Sequence, residues 1–250
     1  MTALVLLHAL PLDSSMWRAQ VQGLGALGHR VLAVDQRGFG DRPSGEAAPS
    51  LDVVADDLAR TLDREGLDRV VLAGCSMGGY AALAFLRRHP GRIRALALLS
   101  TRAEADTAEA AARRRAFAGA MRDPAARDRL VEATTPVLLG ATSRSRNPAL
   151  LGELLLAAES ADPEAVARAQ EAVADRRDGL DVLRTTDVPA LVVAGEEDEL
   201  VSLAESRAAA DALPRGRLVV LPGVGHLPPL EDPATVTRLL AGLAEEGARP

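Results

Sequence analysis

A chain of 250 residues with 48% hydrophobic and 26% charged residues is long enough for one domain with a full core. It has no apolar run near the roughly 18 residues of a membrane span. Its 29 basic and 35 acidic residues are interleaved and give a net charge of -6. This excludes the basic footprint of a nucleic-acid binder and favours a small-molecule partner.

The single cysteine, Cys75, excludes an internal disulfide framework. The apolar stretch 1–7 lacks a charged leader and stops at His8, so it reads as a buried strand, and a cytoplasmic location is the default expectation. None of the four histidines (His8, His29, His89, His226) has Cys, Asp or Glu at the spacing of a metal site. Neither a metal nor a cofactor is expected.

Along the chain, apolar runs at 3–7 and 31–34 read as strands. Residues 51–65 have helical period and close at Gly66. The strand 70–73 leads through Gly74-Cys75-Ser76-Met77-Gly78-Gly79 into a helix at 77–88, which the His89-Pro90-Gly91 break ends. A fourth strand spans 93–99. From Thr101 to Thr186 the chain is rich in Ala, Arg, Glu and Leu, with breaks at Pro124, Pro136, Pro148 and Pro163, and predicts several short helices between two strands. Strands follow at 190–194 and 218–221, with helices at 203–213 and 234–245; Asp232-Pro233 forms a cap and first-turn proline for the last of these.

Strands alternating with helices predict the α/β class: a mostly parallel sheet covered on both faces. Residues 1–100 and 187–250 form the expected core domain, and 101–186 an inserted helical cap. Leu138, Leu139, Leu150, Leu151, Leu154 and Leu155 are expected on the underside of that cap.

Between a strand and a helix, Gly74-x-Ser76-x-Gly78 has the setting of a nucleophile elbow, where glycines leave room for a sharp turn. A serine hydroxyl is a weak nucleophile at neutral pH and needs a base, which in turn needs an orienting acid. Gly195-Glu196-Glu197-Asp198 follows one later strand and Gly223-Val224-Gly225-His226 the next. Both therefore sit at carboxyl ends of strands, where open α/β sheets place their sites. His226 is expected to take the proton of Ser76, and Asp198 to hold the imidazole, with Glu196, Glu197 and Glu199 as adjacent competitors. The backbone N–H groups of Met77 and Leu10 are the expected oxyanion-hole donors, and His8 is expected to be a structural loop residue.

With these residues in place, the chain resembles the α/β-hydrolase superfamily along nearly its whole length. The stretches 8–17, Asp35-Gln36-Arg37-Gly38-Phe39-Gly40, 74–79 and 223–233 resemble the subgroup containing 3-oxoadipate enol-lactonase and metal-free haloperoxidase-like esterases. The resemblance implies an α/β-hydrolase fold and a serine hydrolase that cleaves a carboxylic ester, lactone or thioester through an acyl-enzyme on Ser76. The chain departs from that pattern with Ala9 after His8, with Arg42 where relatives carry a small serine (read here as a surface variation), and with no tryptophan beyond Trp17. The same residues also fit a lyase, a cyclase or a haloperoxidase-like perhydrolase, and a silent binding module is the third class.

Overall fold

Alternate side chains along each apolar run face two separate cores, which requires extended chain with helices on either side. In a computed structural model describing residues 2–248, the runs are β1 (Ala3–Leu7), β2 (Arg30–Val34), β3 (Val70–Cys75), β4 (Ile93–Leu99), β5 (Ala190–Gly195) and β6 (Gly216–Leu221). They lie parallel in one sheet in the order β2-β1-β3-β4-β5-β6. Val5 and Leu7 of β1 enter one core, and Leu4 and Leu6 the other.

The helices are α1 (Arg18–Ala26), α2 (Leu51–Arg64), α3 (Met77–Arg88), α4 (Ala108–Arg122), α5 (Pro124–Thr134), α6 (Ala141–Arg146), α7 (Pro148–Ser160), α8 (Pro163–Ala174), α9 (Leu180–Arg184), α10 (Leu203–Ala212), α11 (Pro228–Glu231) and α12 (Pro233–Ala248). Leu58 and Leu62 of α2, Phe85 of α3 and Ala209 of α10 cover one face of the sheet. Leu24 of α1 with Leu240 and Leu243 of α12 cover the other. The sequence does not announce α1, because Gly23 and Gly25 each lower helix propensity by about 1 kcal/mol. Packing holds it instead: a Cβ at Gly23 would lie 2.7 Å from Thr237 Cγ2 on α12, so glycine lets the two helices approach.

Between β4 and β5 the prolines that interrupt the sequence are helix starts. Pro124, Pro148 and Pro163 open α5, α7 and α8, and Pro136 opens a short 3₁₀ turn. Asp123, Asn147 and Asp162 stand just before and accept first-turn amides, so proline gives up an N–H that had no helical partner. Here α4 packs on α8 through small side chains, with Ala118 and Ala167 fully buried. Among the described residues no helix is long and apolar enough to cross a membrane.

Candidate active site

Ser76 sits between the end of β3 and the start of α3 with φ 51° and ψ -115°, a left-handed backbone uncommon for a residue with a side chain. Its surroundings enforce that turn. A Cβ on Gly74 would meet Gly78 O at 2.2 Å, and one on Gly78 would meet Leu7 O at 2.2 Å, so neither position admits another residue. Ser76 N donates to Leu99 O at 2.9 Å, and Thr101 Oγ1 donates to Ser76 O at 3.2 Å, which ties the elbow to the end of β4.

The loops after β5 and β6 bring Asp198 and His226 to this serine. His226 Nε2 lies 2.8 Å from Ser76 Oγ, and Nδ1 lies 2.9 Å from both carboxylate oxygens of Asp198. An ionised carboxylate only accepts, so Nδ1 carries the proton and Nε2 is free to accept from the serine hydroxyl. Asp198 also accepts the amides of Leu200 at 2.8 Å and Val201 at 3.0 Å. Burial opposes its ionisation, but the bond from His226 and these two amides outweigh burial and hold the carboxyl below its usual range. The neighbouring acids turn elsewhere: Glu196 accepts from Gly223 N, Glu197 from the amide and hydroxyl of Thr142, and Glu199 pairs with Arg144.

Leu10 and Met77 line the same cavity as Ser76 and His226, and among the described residues their amides donate to no protein acceptor. His8 braces the adjoining loop. Its Nδ1 donates to Ala9 O at 3.0 Å, and its Nε2 accepts from Gln36 N at 3.0 Å. Burial lowers its basicity, so this neutral form is the stable one. The methyl of Ala9 is buried in the core with Met16. Arg42 is no surface variation: it is three-quarters buried and lies 3.7 Å from Asp57, to which Arg37 and Arg60 also pair.

The cavity holds about 380 Å³. Phe117 and Met121 of α4 and Val166 and Val173 of α8 form apolar walls. Its polar lining includes Arg102, Arg113 and Arg114, and the guanidinium of Arg114 donates to Asp106 at 2.6 Å and to Gln170 at 2.9 Å. Arg176 lies 2.8 Å from the same aspartate and stacks 4.4 Å over the ring of Tyr80. Of the six leucines expected against the site only Leu138 lines this space, while Leu139, Leu150 and Leu154 pack into the core with Trp17. A larger cavity of about 770 Å³ adjoins at Pro11 but touches neither Ser76 nor His226. Among the described residues no group of three or more His, Cys, Asp or Glu is placed to hold a metal ion.

Two polar residues escaped the sequence reading. Arg102 reaches from the end of β4 to donate to Leu200 O at 2.6 Å and braces the loop of Asp198. Glu231, five residues after His226, accepts the amides on either side of it. The acid in the proline-rich stretch Pro228-Pro229-Leu230-Glu231, just after His226, is the signal the sequence offers.

A family model described as alpha/beta hydrolase fold matches residues 2–233. The chain belongs to this family. As an α/β hydrolase it is similar to a thermophilic esterase from Thermogutta terrifontis, at 34% identity and a TM-score of 0.93 over 100% of this chain and 91% of that one. It is also similar to the enol-lactonase from Burkholderia xenovorans LB400, at 28% identity and a TM-score of 0.88 over 98% and 92% of the two chains. Among curated proteins it is 35% identical over 105 residues to the AB hydrolase superfamily protein YisY of Bacillus subtilis (strain 168), a match spanning 42% of this α/β hydrolase and 39% of YisY. The chain thus spans less than two-fifths of the length of the first curated relatives it matches. Esterase and enol-lactonase neighbours are the company that the motifs at 74–79 and 223–233 pointed to, and hydrolase-named relatives support a hydrolase.

Proposed function

We propose that this α/β hydrolase cleaves a small-molecule carboxylic ester, lactone or thioester through an acyl-enzyme on Ser76. The observation that carries the reading is the continuous chain from Ser76 Oγ to His226 Nε2 at 2.8 Å and from His226 Nδ1 to Asp198 at 2.9 Å. Ser76 Oγ attacks the acyl carbon as His226 takes its proton, and the amides of Leu10 and Met77 stabilise the oxyanion. The carbon–heteroatom bond then breaks as His226 returns the proton to the leaving group. Water repeats the sequence: its oxygen attacks the acyl carbon as His226 removes its proton, the bond from that carbon to Ser76 Oγ then breaks as His226 returns the proton to Oγ, and the carboxylic acid leaves.

Residues 101–186 act in this reading as a cap that encloses the acyl group, since α4 and α8 wall the cavity that Ser76 and His226 open into. A volume of about 380 Å³ suits a small molecule. The esterase and enol-lactonase similarities, which run nearly full length, support an ester or lactone as the bond broken. The test is a panel of p-nitrophenyl esters and lactones with wild type and Ser76→Ala. Wild type should turn over at least part of the panel, and the variant should lose at least about 10³-fold in kcat. A Ser76→Ala enzyme with wild-type turnover would overturn the reading.

A further inference from the structure

Glu231 lines neither cavity, yet three backbone amides converge on its carboxylate. Oε1 accepts from Leu227 N at 2.9 Å and Oε2 from Gly225 N at 2.8 Å, so one side chain grips the amides on both sides of His226. Oε2 also accepts from Gly140 N at 2.9 Å, across 91 residues of sequence. Gly140 immediately precedes α6. The backbones meet here as closely as they can. A Cβ on Gly225 would lie 2.1 Å from Gly140 N, and one on Gly195, at the end of β5, would lie 2.0 Å from Gly225 O.

Bonds from N–H groups to an ionised acceptor are stronger than neutral ones, and three on one carboxylate fix its place and theirs. The imidazole must meet Ser76 Oγ within hydrogen-bond reach, and a shift of about 1 Å in such a group costs about 10²-fold in rate. We propose that Glu231 is a positioning residue: it sets the loop that carries His226 and makes that setting depend on residue 140 of the proposed cap. The inference rests on the assignment of Ser76 and His226 made above. In Glu231→Gln the side-chain NH₂ replaces one acceptor and opposes at least one of the three amides, leaving volume and reach unchanged.

The experiment follows the rate at which a fluorophosphonate labels Ser76, together with amide hydrogen exchange, in wild type, Glu231→Gln, His226→Ala and Glu199→Gln. Glu231→Gln should label about 10- to 100-fold more slowly than wild type. Its amides at 140, 225 and 227 should exchange faster together, while Glu199→Gln, which loses an exposed acid nearby, labels at the wild-type rate. Labelling of Glu231→Gln at the wild-type rate would overturn the proposal. Faster exchange confined to 225 and 227 would overturn the link to residue 140. Should wild type stay unlabelled, or His226→Ala label as fast as wild type, the Ser76–His226 assignment itself falls and takes the proposal with it. If Glu231→Gln does not unfold cooperatively on heating, Glu231→Asp, which keeps the charge but withdraws it by one methylene, is read by the same two measurements.

Discussion

Cys75 and Ser76 are neighbours that face opposite sides of the elbow: Cys75 Sγ is fully buried 3.8 Å from the carbonyl of His226, whereas Ser76 opens into the cavity. Burial, with the charges of Asp198 and Glu231 adding to it, pushes the thiol well above its usual range, and a thiol that stays protonated is a poor nucleophile. A fluorophosphonate should therefore leave a single adduct on Ser76, and iodoacetamide should leave the native protein unmodified. Peptide mapping by mass spectrometry checks both. An adduct on Cys75 would reverse the roles of the two residues.

Asp198→Asn should fold normally and lower kcat by about 10⁴, the size of the tautomer loss in other triads. Glu196→Gln should cost little, since its contact is the amide of Gly223 and not the imidazole. Steady-state kinetics on one p-nitrophenyl ester separates the variants. Should Glu197→Gln prove crippling and Asp198→Asn mild, the acid assignment fails.

Stability should fall in acid. Burial opposes ionisation of Asp57, Asp106 and Asp198, yet Arg37 and Arg60 around the first, Arg114 and Arg176 around the second, and His226 with two amides around the third hold all three carboxyls low. An acid held low when folded binds its proton more readily unfolded, near about pH 4. Its contribution is whole above that value and disappears as pH drops through the folded one. Melting temperature should start to fall gently below about pH 6.5, where unfolded His8 takes a proton that burial denies it in the fold, and decline more steeply below about pH 5 as the three carboxyls follow. Asp106→Asn should start about 3–5 kcal/mol less stable at neutral pH, because Arg176 loses its buried partner, and should show a shallower acid slope. An unchanged slope would refute the assignment of Asp106 to the acid limb.

Gly78→Ala should lower the melting temperature by several degrees and abolish labelling of Ser76, since its Cβ would meet the backbone at Leu7 O, and overpacking of this kind costs about 1–3 kcal/mol. Gly25→Ala on α1 has nothing within 4 Å and should raise stability by about 0.5–1 kcal/mol. Calorimetry on the two variants should give opposite signs; the same sign for both would mean that the close approach at the elbow is not what selects glycine.

The strands and the elbow were legible because their signals are local: apolar runs, a glycine pair around Ser76, and acid and histidine each just past a strand. The sequence points to Asp198 as the acid, but with Glu196, Glu197 and Glu199 beside it as competitors. What separates Asp198 from Glu197 is that Glu197 reaches Thr142 in the intervening segment, 55 residues away, a contact that no local pattern encodes. Helix α1 was missed because its stability is tertiary, and Glu231 because its third amide comes from Gly140. Of the six leucines only Leu138 meets the site cavity, for a related reason: an apolar side chain in the sequence does not show whether it faces that cavity or a core.

The sheet order has a kinetic consequence. Ser76 directly follows β3, His226 lies on the loop after β6, and β4 and β5 lie between those strands, so two atoms 150 residues apart in sequence are expected to meet only after every intervening strand has docked. Contacts of such long sequence separation form late, because loop closure must precede them. Labelling of Ser76 during refolding from denaturant is therefore a clock for completion of the sheet: it should lag behind helix formation seen by far-UV circular dichroism and rise with the last cooperative phase.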